Sequence, residues 1–439
     1  MSTVRDQVRR KSRTALRKAG LAPSGPVYGR LVDTGRALPV PAKARVIIST
    51  AVLRRPWRIS VPMDRLLVGA QGGWTARGFA ERTGDLLWPS TRLLDGPHVA
   101  LLRQAAQGPL TDAEVLDSPY GRLGRRCIAA GGDYFGATDD AGVVASARAF
   151  IARSQGDAPD EGERRPQQSG SLDPVLVAPV RNSSYYQVLD GHHRLALAAH
   201  RGETTARVVA KWVPVTTPLQ DLLLKMSWLD GTKELYQPID APELQEEWTT
   251  VRACVDRRDK MLAFLRDRGL GPSGSYLDVA SCYGWFVDQM RRAGFEAFGM
   301  ERDPLAVPLG QAVYGLPDGL ISTGDCVDLL GAAGRTWDVV SCFSLLHHFV
   351  LGRGSVGPEE LIKLLDNATG RVLFFDTGQD NEAWFSTSLR GWNPTAVAEF
   401  LREHTTFDEI VDLGPDDDAR PPYAGNYGRH LFACVRSGG

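Results

Sequence analysis

The sequence predicts an α/β protein with two folded units, and three observations carry that expectation. From Pro272 onward, short apolar runs alternate with amphipathic stretches, the pattern of a mostly parallel sheet covered on both faces. Upstream, Tyr186–Gly202 reads as a strand, a tight glycine turn and an Ala/Leu-rich helix, followed by a strand over Ala206–Trp212. The length of 439 residues, 43% of them apolar, gives room for two or three domains with full cores. Four segments follow: a basic extension over 1–56, a smaller α+β domain over 57–215, a helical connector and lid over 216–271, and a larger α/β domain over 272–439.

Composition excludes several classes. Lys+Arg number 51 and Asp+Glu 52, so the formal charge of −1 supplies no overall field for a polyanion. Nucleic acid is therefore not an expected partner. The six cysteines, 127, 254, 282, 326, 342 and 434, include no CxxC pair, so neither a zinc framework nor a disulfide scaffold is expected, and the metal count is set at none. No apolar run reaches the roughly 18 residues of a membrane span, and the start lacks the apolar core of a secretory signal. The expected location is the cytoplasm.

The neutral total hides a local patch. Arg5, Arg9, Arg10, Lys11, Arg13, Arg17 and Lys18 stand against a single acid, Asp6. Their apolar face is small, so residues 1–20 are expected to make at most weak peripheral contact with an anionic surface.

In the middle domain the turn is built from Asp190, Gly191, His192, His193 and Arg194. A helix start leaves backbone N–H groups without intrahelical partners, and His and Arg there oppose the helix dipole unless an anion is bound. These five are the candidate nucleotide- or phosphate-binding residues. The Asp-Gly-His-His-Arg sequence resembles the ParB/sulfiredoxin superfamily, above all its ADP- or ATP-dependent free-serine kinases. That resemblance implies ATP or ADP with Mg at the turn. His192 stands where sulfiredoxins carry their catalytic cysteine, and the Glu-Arg-Arg of the partitioning proteins is missing. The superfamily's first segment corresponds to Ile59–Leu66, after which the kinases carry a catalytic acid. Val68-Gly69-Ala70-Gln71-Gly72-Gly73 contains none, leaving Glu81, Asp85 and Asp95 as substitutes. Phosphoryl transfer, binding without chemistry and a structural remnant all stay open. The polar stretch Ser154–Leu172 reads as an inserted loop.

In the connector, Trp248, Val251, Val255, Leu262 and Leu265 fall at helical spacing and predict one amphipathic helix over 242–268. Leu235-Tyr236-Gln237-Pro238 precedes it.

The larger domain is read as seven strands: Ser275–Ala280, Ala297–Met300, Leu320–Ser322, Trp337–Cys342, Arg371–Asp376, Phe407–Leu413 and His430–Val435. The first runs through Asp278 into Ala280-Ser281-Cys282-Tyr283-Gly284, a turn of small residues that lets the backbone approach a ligand. Glu301 ends the second strand 23 residues after Asp278, where an acid can accept from both hydroxyls of a ribose. Asp325 and Cys326 follow the third strand. These strand ends resemble the class I S-adenosylmethionine-dependent methyltransferases, whose Rossmann-like sheet has seven strands ending in an antiparallel pair. The motif's first two glycine positions are filled by Ala280 and Cys282, and only Gly284 keeps the glycine.

The resemblance implies that Asp278, Ala280, Cys282, Gly284, Glu301, Asp325 and Cys326 hold S-adenosyl-L-methionine. It also makes Tyr236, Gln237 and Arg252 candidates for a lid, with a plain capping role for that segment equally open. His347 and His348, after the fourth strand, are candidate bases for deprotonating a hydroxyl acceptor, or packing residues. The Pro-Pro motif of the amino-group DNA enzymes is absent after the fourth strand, the Pro421-Pro422-Tyr423 run lying instead before the last strand, and the Pro-Cys of the cytosine C5 enzymes occurs nowhere in the chain. Trp384, Phe385 and Trp392 either stack on a sugar ring or close the domain.

The expected function is O-methyl transfer to a polar small molecule or glycan in a biosynthetic route, in a bifunctional enzyme whose nucleotide-binding domain acts as a kinase on the same acceptor. Two alternatives stand beside it: a DNA-associated ParB-like protein with a methyltransferase domain, and a non-catalytic scaffold. Nothing in the sequence sets the oligomeric state.

Overall fold

The computed structural model describes residues 57–437 apart from 72–73, 85–90, 157–173, 212, 227–232 and 247. The basic arm, most of the polar 154–172 stretch, Asp85 and Trp212 lie outside the described residues. The chain divides into two compact units. The first holds the residues up to Asp221 and the 240–247 segment, and the second holds Leu222–Ile239 and the chain from Trp248 onward.

The first unit is built on a five-stranded mixed sheet of order β1-β5-β3-β4-β2, made of β1 (Trp57–Pro62), β2 (Leu66–Leu67), β3 (Leu176–Pro179), β4 (Tyr186–Asp190) and β5 (Thr205–Ala210). Val61, Val177, Val188 and Val208 share one core with Leu195 of α6 (His192–His200). Five helices, α1 (Ala76–Thr83), α2 (Pro97–Ala105), α3 (Asp112–Asp117), α4 (Pro119–Gly131) and α5 (Asp140–Gln155), enclose a second core around Phe79, Leu101, Tyr120, Leu123 and Phe150. Their starts follow from side-chain caps. Thr111 and Glu114 form a reciprocal capping box on α3, Ser118 caps α4 ahead of Pro119, and Asp139 caps α5.

The second unit carries all seven expected strands: β8 (Ser275–Val279), β9 (Glu296–Glu301), β10 (Ile321–Thr323), β11 (Trp337–Cys342), β12 (Thr369–Phe375), β13 (Glu409–Pro415) and β14 (His430–Val435). Their order is β10-β9-β8-β11-β12-β14-β13, parallel from β10 to β12, with β14 antiparallel to both neighbours. The central strands β8, β11, β12 and β14 are buried on both faces, which is why they read as apolar runs, while the edge strands β10 and β13 are partly exposed. Leu373 and Phe375 face one core with Leu361, Leu365 and Leu401, while Val372 and Phe374 face the other with Met261, Phe286 and Met290. The helices that supply these residues are α7 (Val255–Asp267), α8 (Trp285–Arg292), α12 (Pro358–Ala368) and α13 (Pro394–His404); α9 (Ala306–Tyr314), α10 (Cys326–Ala332) and α11 (Leu346–Val350) complete the layers.

The single helix expected over 242–268 does not form. Instead β7 (Thr249–Thr250) pairs with β6 (Glu234–Leu235), and only α7 is helical at full length. Two β-branched residues favour the extended form, and Cys254, at φ 62°, cannot continue a helix backwards. Arg252 is thereby held in extended backbone, with Val251 accepting from Arg420 and Ala253 donating to Asp418.

Candidate active site

In the second unit the carboxyl ends of the parallel strands gather most of the residues singled out from the sequence. After β8, Ala280 and Cys282 take φ of 60° and 53°, and Gly284 takes 88°. The turn thus has the left-handed conformations that glycines usually supply, adopted by two residues with side chains. Glu301 stabilises it: Oε2 accepts from the Cys282 amide at 2.8 Å, and Oε1 accepts from Arg302 and Asp303 at 2.8 and 3.0 Å. A carboxylate oxygen accepts two hydrogen bonds, so Oε2 keeps capacity for one more. Burial raises the Glu301 pKa, opposed by those three backbone donors. Asp325 caps α10 through the Val327 amide at 2.9 Å, with Cys326 beside it, half-buried.

Asp278 is placed differently from a ligand-facing acid. It is 2% exposed, accepts from Ser341 at 2.6 Å, and leaves Oδ2 without a partner. Burial pushes its pKa up to about 7. Gln237 braces the turn: its amide group donates to the Ser281 carbonyl at 3.1 Å and accepts from the Trp285 N–H at 3.1 Å, while its backbone N–H donates to the Tyr283 hydroxyl at 2.9 Å. That satisfies an N–H at the start of α8 that has no intrahelical partner. Tyr236, half-buried, lies within electrostatic reach of Arg252 and Arg429.

Arg252 enters a buried ionic cluster that the sequence did not reveal. It donates to Asp416 at 2.7 Å and to Ser344 at 2.9 Å. Arg257 joins Asp418 at 2.8 Å and Asp376 at 3.1 Å, and Arg429 clasps both Glu382 oxygens at 2.7 and 2.9 Å while donating to Ser344 at 2.7 Å. Burial works against the Asp376 charge, yet Arg252, Arg257 and Arg429 together hold its pKa below the usual range. Ser344, just past β11, has φ 58°, a strained value for a serine at the strand end. The best signal available was the run Asp416-Asp417-Asp418, which resembles a solvated charge run but alternates buried, exposed, buried.

The two candidate bases separate. His347 is buried, its pKa pushed down to about 2 by burial and then by Arg429, and its Nδ1 accepts from the Gly378 amide at 3.2 Å. A neutral ring accepting at Nδ1 carries its proton on Nε2, so in this arrangement both ring nitrogens of His347 are already engaged or protonated. His348 lies against it, tilted by 35° with ring centroids 4.3 Å apart, and is exposed. Burial, then Arg353, lowers its pKa, leaving it neutral and able to take a proton.

In the first unit, Gly191 caps α6 at φ 97° without a capping side chain. The two imidazoles expected to line an anion site turn inward. His192 accepts from the Gly69 amide at 3.2 Å, and His193 is bonded to the Tyr120 hydroxyl at 2.8 Å among Phe135, Phe150 and His98. Burial pushes both pKa values down to about 3, so neither adds positive charge to the turn. Arg194 faces outward and pairs with Asp190 at 3.2 Å. Of the substitute acids, Glu81 pairs with Arg77 at 3.0 Å and Asp95 closes a 3-10 turn.

Among the described residues, no three His, Cys, Asp or Glu side chains come together as a metal site, and no helix is long and apolar enough to cross a membrane.

No family model and no curated protein matches the chain. Solved structures that resemble it include the bifunctional kinase-methyltransferase WbdD, at 16% identity over 49% of this chain with TM-score 0.38. The chain covers 45% of that structure. Magnesium protoporphyrin IX methyltransferase (ChlM) from Synechocystis PCC 6803 with bound SAM matches at 16% identity over 41% of this chain and 78% of that one, TM-score 0.31. The methyltransferase domain of a bacterial Hen1 matches at 12% identity over 41% and 97%, TM-score 0.31. At these identities and scores, function has to be argued from the chain's own residues.

Proposed function

We propose that the chain is an S-adenosylmethionine-dependent methyltransferase acting on an oxygen of a polar small molecule or glycan. One observation carries this: the left-handed Ala280–Gly284 turn is tied to Glu301, with Asp325 at the next strand end, so three consecutive strand ends present a backbone cradle beside two acids. The residues fit the cofactor. Glu301 Oε2 has room for a ribose hydroxyl, Asp325 and the start of α10 suit an adenine edge, and the turn lets backbone come close. When bound, the cofactor would supply a methyl group on a sulfonium, whose carbon would bond to an acceptor oxygen as the carbon–sulfur bond breaks and a thioether leaves. His348 is placed to take the acceptor proton, with the His347 ring packed against it.

The test is titration calorimetry with S-adenosylmethionine on the wild type and on Glu301→Ala. At least a tenfold loss of affinity is expected, and unchanged affinity overturns the assignment.

The finer part of the proposal concerns the first unit, which is read as binding ATP or ADP at the Gly191 turn through backbone N–H groups and Arg194, and as phosphorylating the same acceptor. What supports it is the uncapped helix start beside an outward Arg. ADP formation from ATP, compared with Arg194→Ala, tests it.

A further inference from the structure

Beyond the strand ends lies a continuous set of contacts that leads to the surface. Trp384 is 50% exposed, one of the few large apolar side chains so placed among the described residues. It meets Tyr427 edge-on at 5.6 Å and Tyr423 at 5.8 Å. Tyr427 covers the guanidinium groups of Arg252 and Arg429 at 4.8 and 4.9 Å, and both of these donate to Ser344 at the end of β11. Phe385, next in sequence, packs on His347 at 4.9 Å and against Gly378. An exposed indole is thus connected by ring contacts to the residues beside the candidate base.

The polar groups along this route are of two kinds, paired charges and neutral atoms. The three guanidinium groups are committed to Asp376, Asp416, Asp418 and Glu382, and three positive charges against four carboxylates leave the cluster formally one negative. No fork is left to clasp a phosphate, and an anion would meet net repulsion in a low-dielectric setting. Besides Arg252 Nε, enclosed within the paired cluster, the side-chain atoms here that lack partners are neutral: Thr377 Oγ1, Gln379 Nε2 and Asn426 Oδ1, a hydroxyl, an amide donor and an amide acceptor. Thr377 and Gln379 are fully buried and flank Gly378. Buried polar groups of this kind are costly unless a partner arrives, and hydroxyl groups can both give to them and accept from them.

We infer that the methyl acceptor carries an uncharged ring bearing hydroxyl groups, a sugar or related cyclic polyol, that it packs on the exposed surface of Trp384, and that it reaches the strand ends without a phosphate. This rests on the methyltransferase reading of the same site. It also fixes an order: if one acceptor serves both units, methyl transfer precedes phosphorylation.

The experiment uses the full chain with S-adenosylhomocysteine and a panel of methyl glycosides and inositols beside their phosphates. Saturation-transfer NMR reads ring contact, and S-adenosylhomocysteine formed from S-adenosylmethionine reads turnover. Transfer to neutral rings that falls at least fivefold in Trp384→Ala and is restored in Trp384→Phe supports the inference. Because Trp384 is half exposed, loss of fold is not expected, and calorimetric binding of S-adenosylmethionine checks each variant. Preference for the phosphates, lost in Arg353→Ala or Arg302→Ala, overturns the inference, since Arg353 and Arg302 are exposed cations near His348. So does cofactor binding with no ring contact from any neutral member of the panel. A wild type that fails to bind S-adenosylmethionine overturns the methyltransferase reading itself.

Discussion

The two units bury titratable side chains in opposite ways. In the first, His192 and His193 lie with ring centroids 5.4 and 4.6 Å from that of His98, among tyrosines and phenylalanines, and all three are held neutral by burial. In the second, Arg252, Arg257 and Arg429 stay charged in an interior equally dry, because each guanidinium is matched by carboxylates at 2.7 to 3.1 Å. Imidazole can shed its proton near neutral pH and so avoids the cost of a buried charge, whereas guanidinium cannot and must be paired. The first arrangement is therefore sensitive to acid, and the second to loss of a partner.

The largest effect is expected from breaking the paired cluster. Arg429→Met leaves Glu382 buried without its guanidinium and should cost about 3–5 kcal/mol of stability in the second unit. The double change Arg429→Met with Glu382→Leu should recover most of that, since apolar side chains of similar volume replace such pairs with little loss. Denaturant unfolding of the full chain, with hydrogen exchange resolving 272–437, measures both. A single change costing under about 1 kcal/mol would remove the distinction between the units.

Acid separates them next. The folded pKa of His192, about 3, lies below the ordinary 6.5, so the unfolded chain takes the proton first. Its contribution is complete above pH 6.5 and declines as pH falls toward 3, by about 2 kcal/mol at pH 5. Asp278 has the opposite sign. Its folded pKa, about 7, is above the ordinary 3.8, so stability is greatest below pH 4 and is lost as pH rises through 7. Between pH 7 and 5, exchange corrected for its intrinsic pH dependence should speed up in peptides of the first unit relative to the second. Asp278→Asn should flatten only the second unit's response, and parallel responses in both units would break the contrast.

Legibility in the sequence follows the same divide. Strands buried on both faces write themselves as apolar runs, and all seven of the larger sheet were readable, as were Glu301 and Asp325 at their ends. The helix over 242–268 misled because Trp248 and Val251 fall at helical spacing while lying outside any helix, on either side of the Thr249–Thr250 strand, and spacing carries no information about Cys254 at φ 62°. His192 and His193 looked like a cationic pair because a sequence shows residue type and not which way a ring turns; Tyr120 and Phe150, which enclose His193, come from distant helices. The ionic cluster was illegible for the same reason. Its members are spread from 252 to 429 and meet only through the sheet's topology.

The smallest effect concerns backbone strain, and it too differs between units. Ala280, at φ 60°, takes a conformation that costs an L-residue about 1–2 kcal/mol, while glycine's added freedom in the unfolded chain offsets about 0.5–1 kcal/mol of any relief. Ala280→Gly should therefore stabilise the second unit by about 0.5–1 kcal/mol, or roughly 1–4 °C in melting temperature. Cys282→Gly gains the same relief at φ 53° but gives up a packed thiol, so its net change should be near zero. Asn182 in the first unit has φ 56°, yet asparagine tolerates this region by bonding its own backbone, so Asn182→Gly should change stability by only a few tenths of a kcal/mol. Calorimetric melting of the three variants ranks them. If Ala280→Gly melts lower than the wild type, its methyl group is contributing more by packing than the backbone loses by strain, and the turn after β8 is not a strained one.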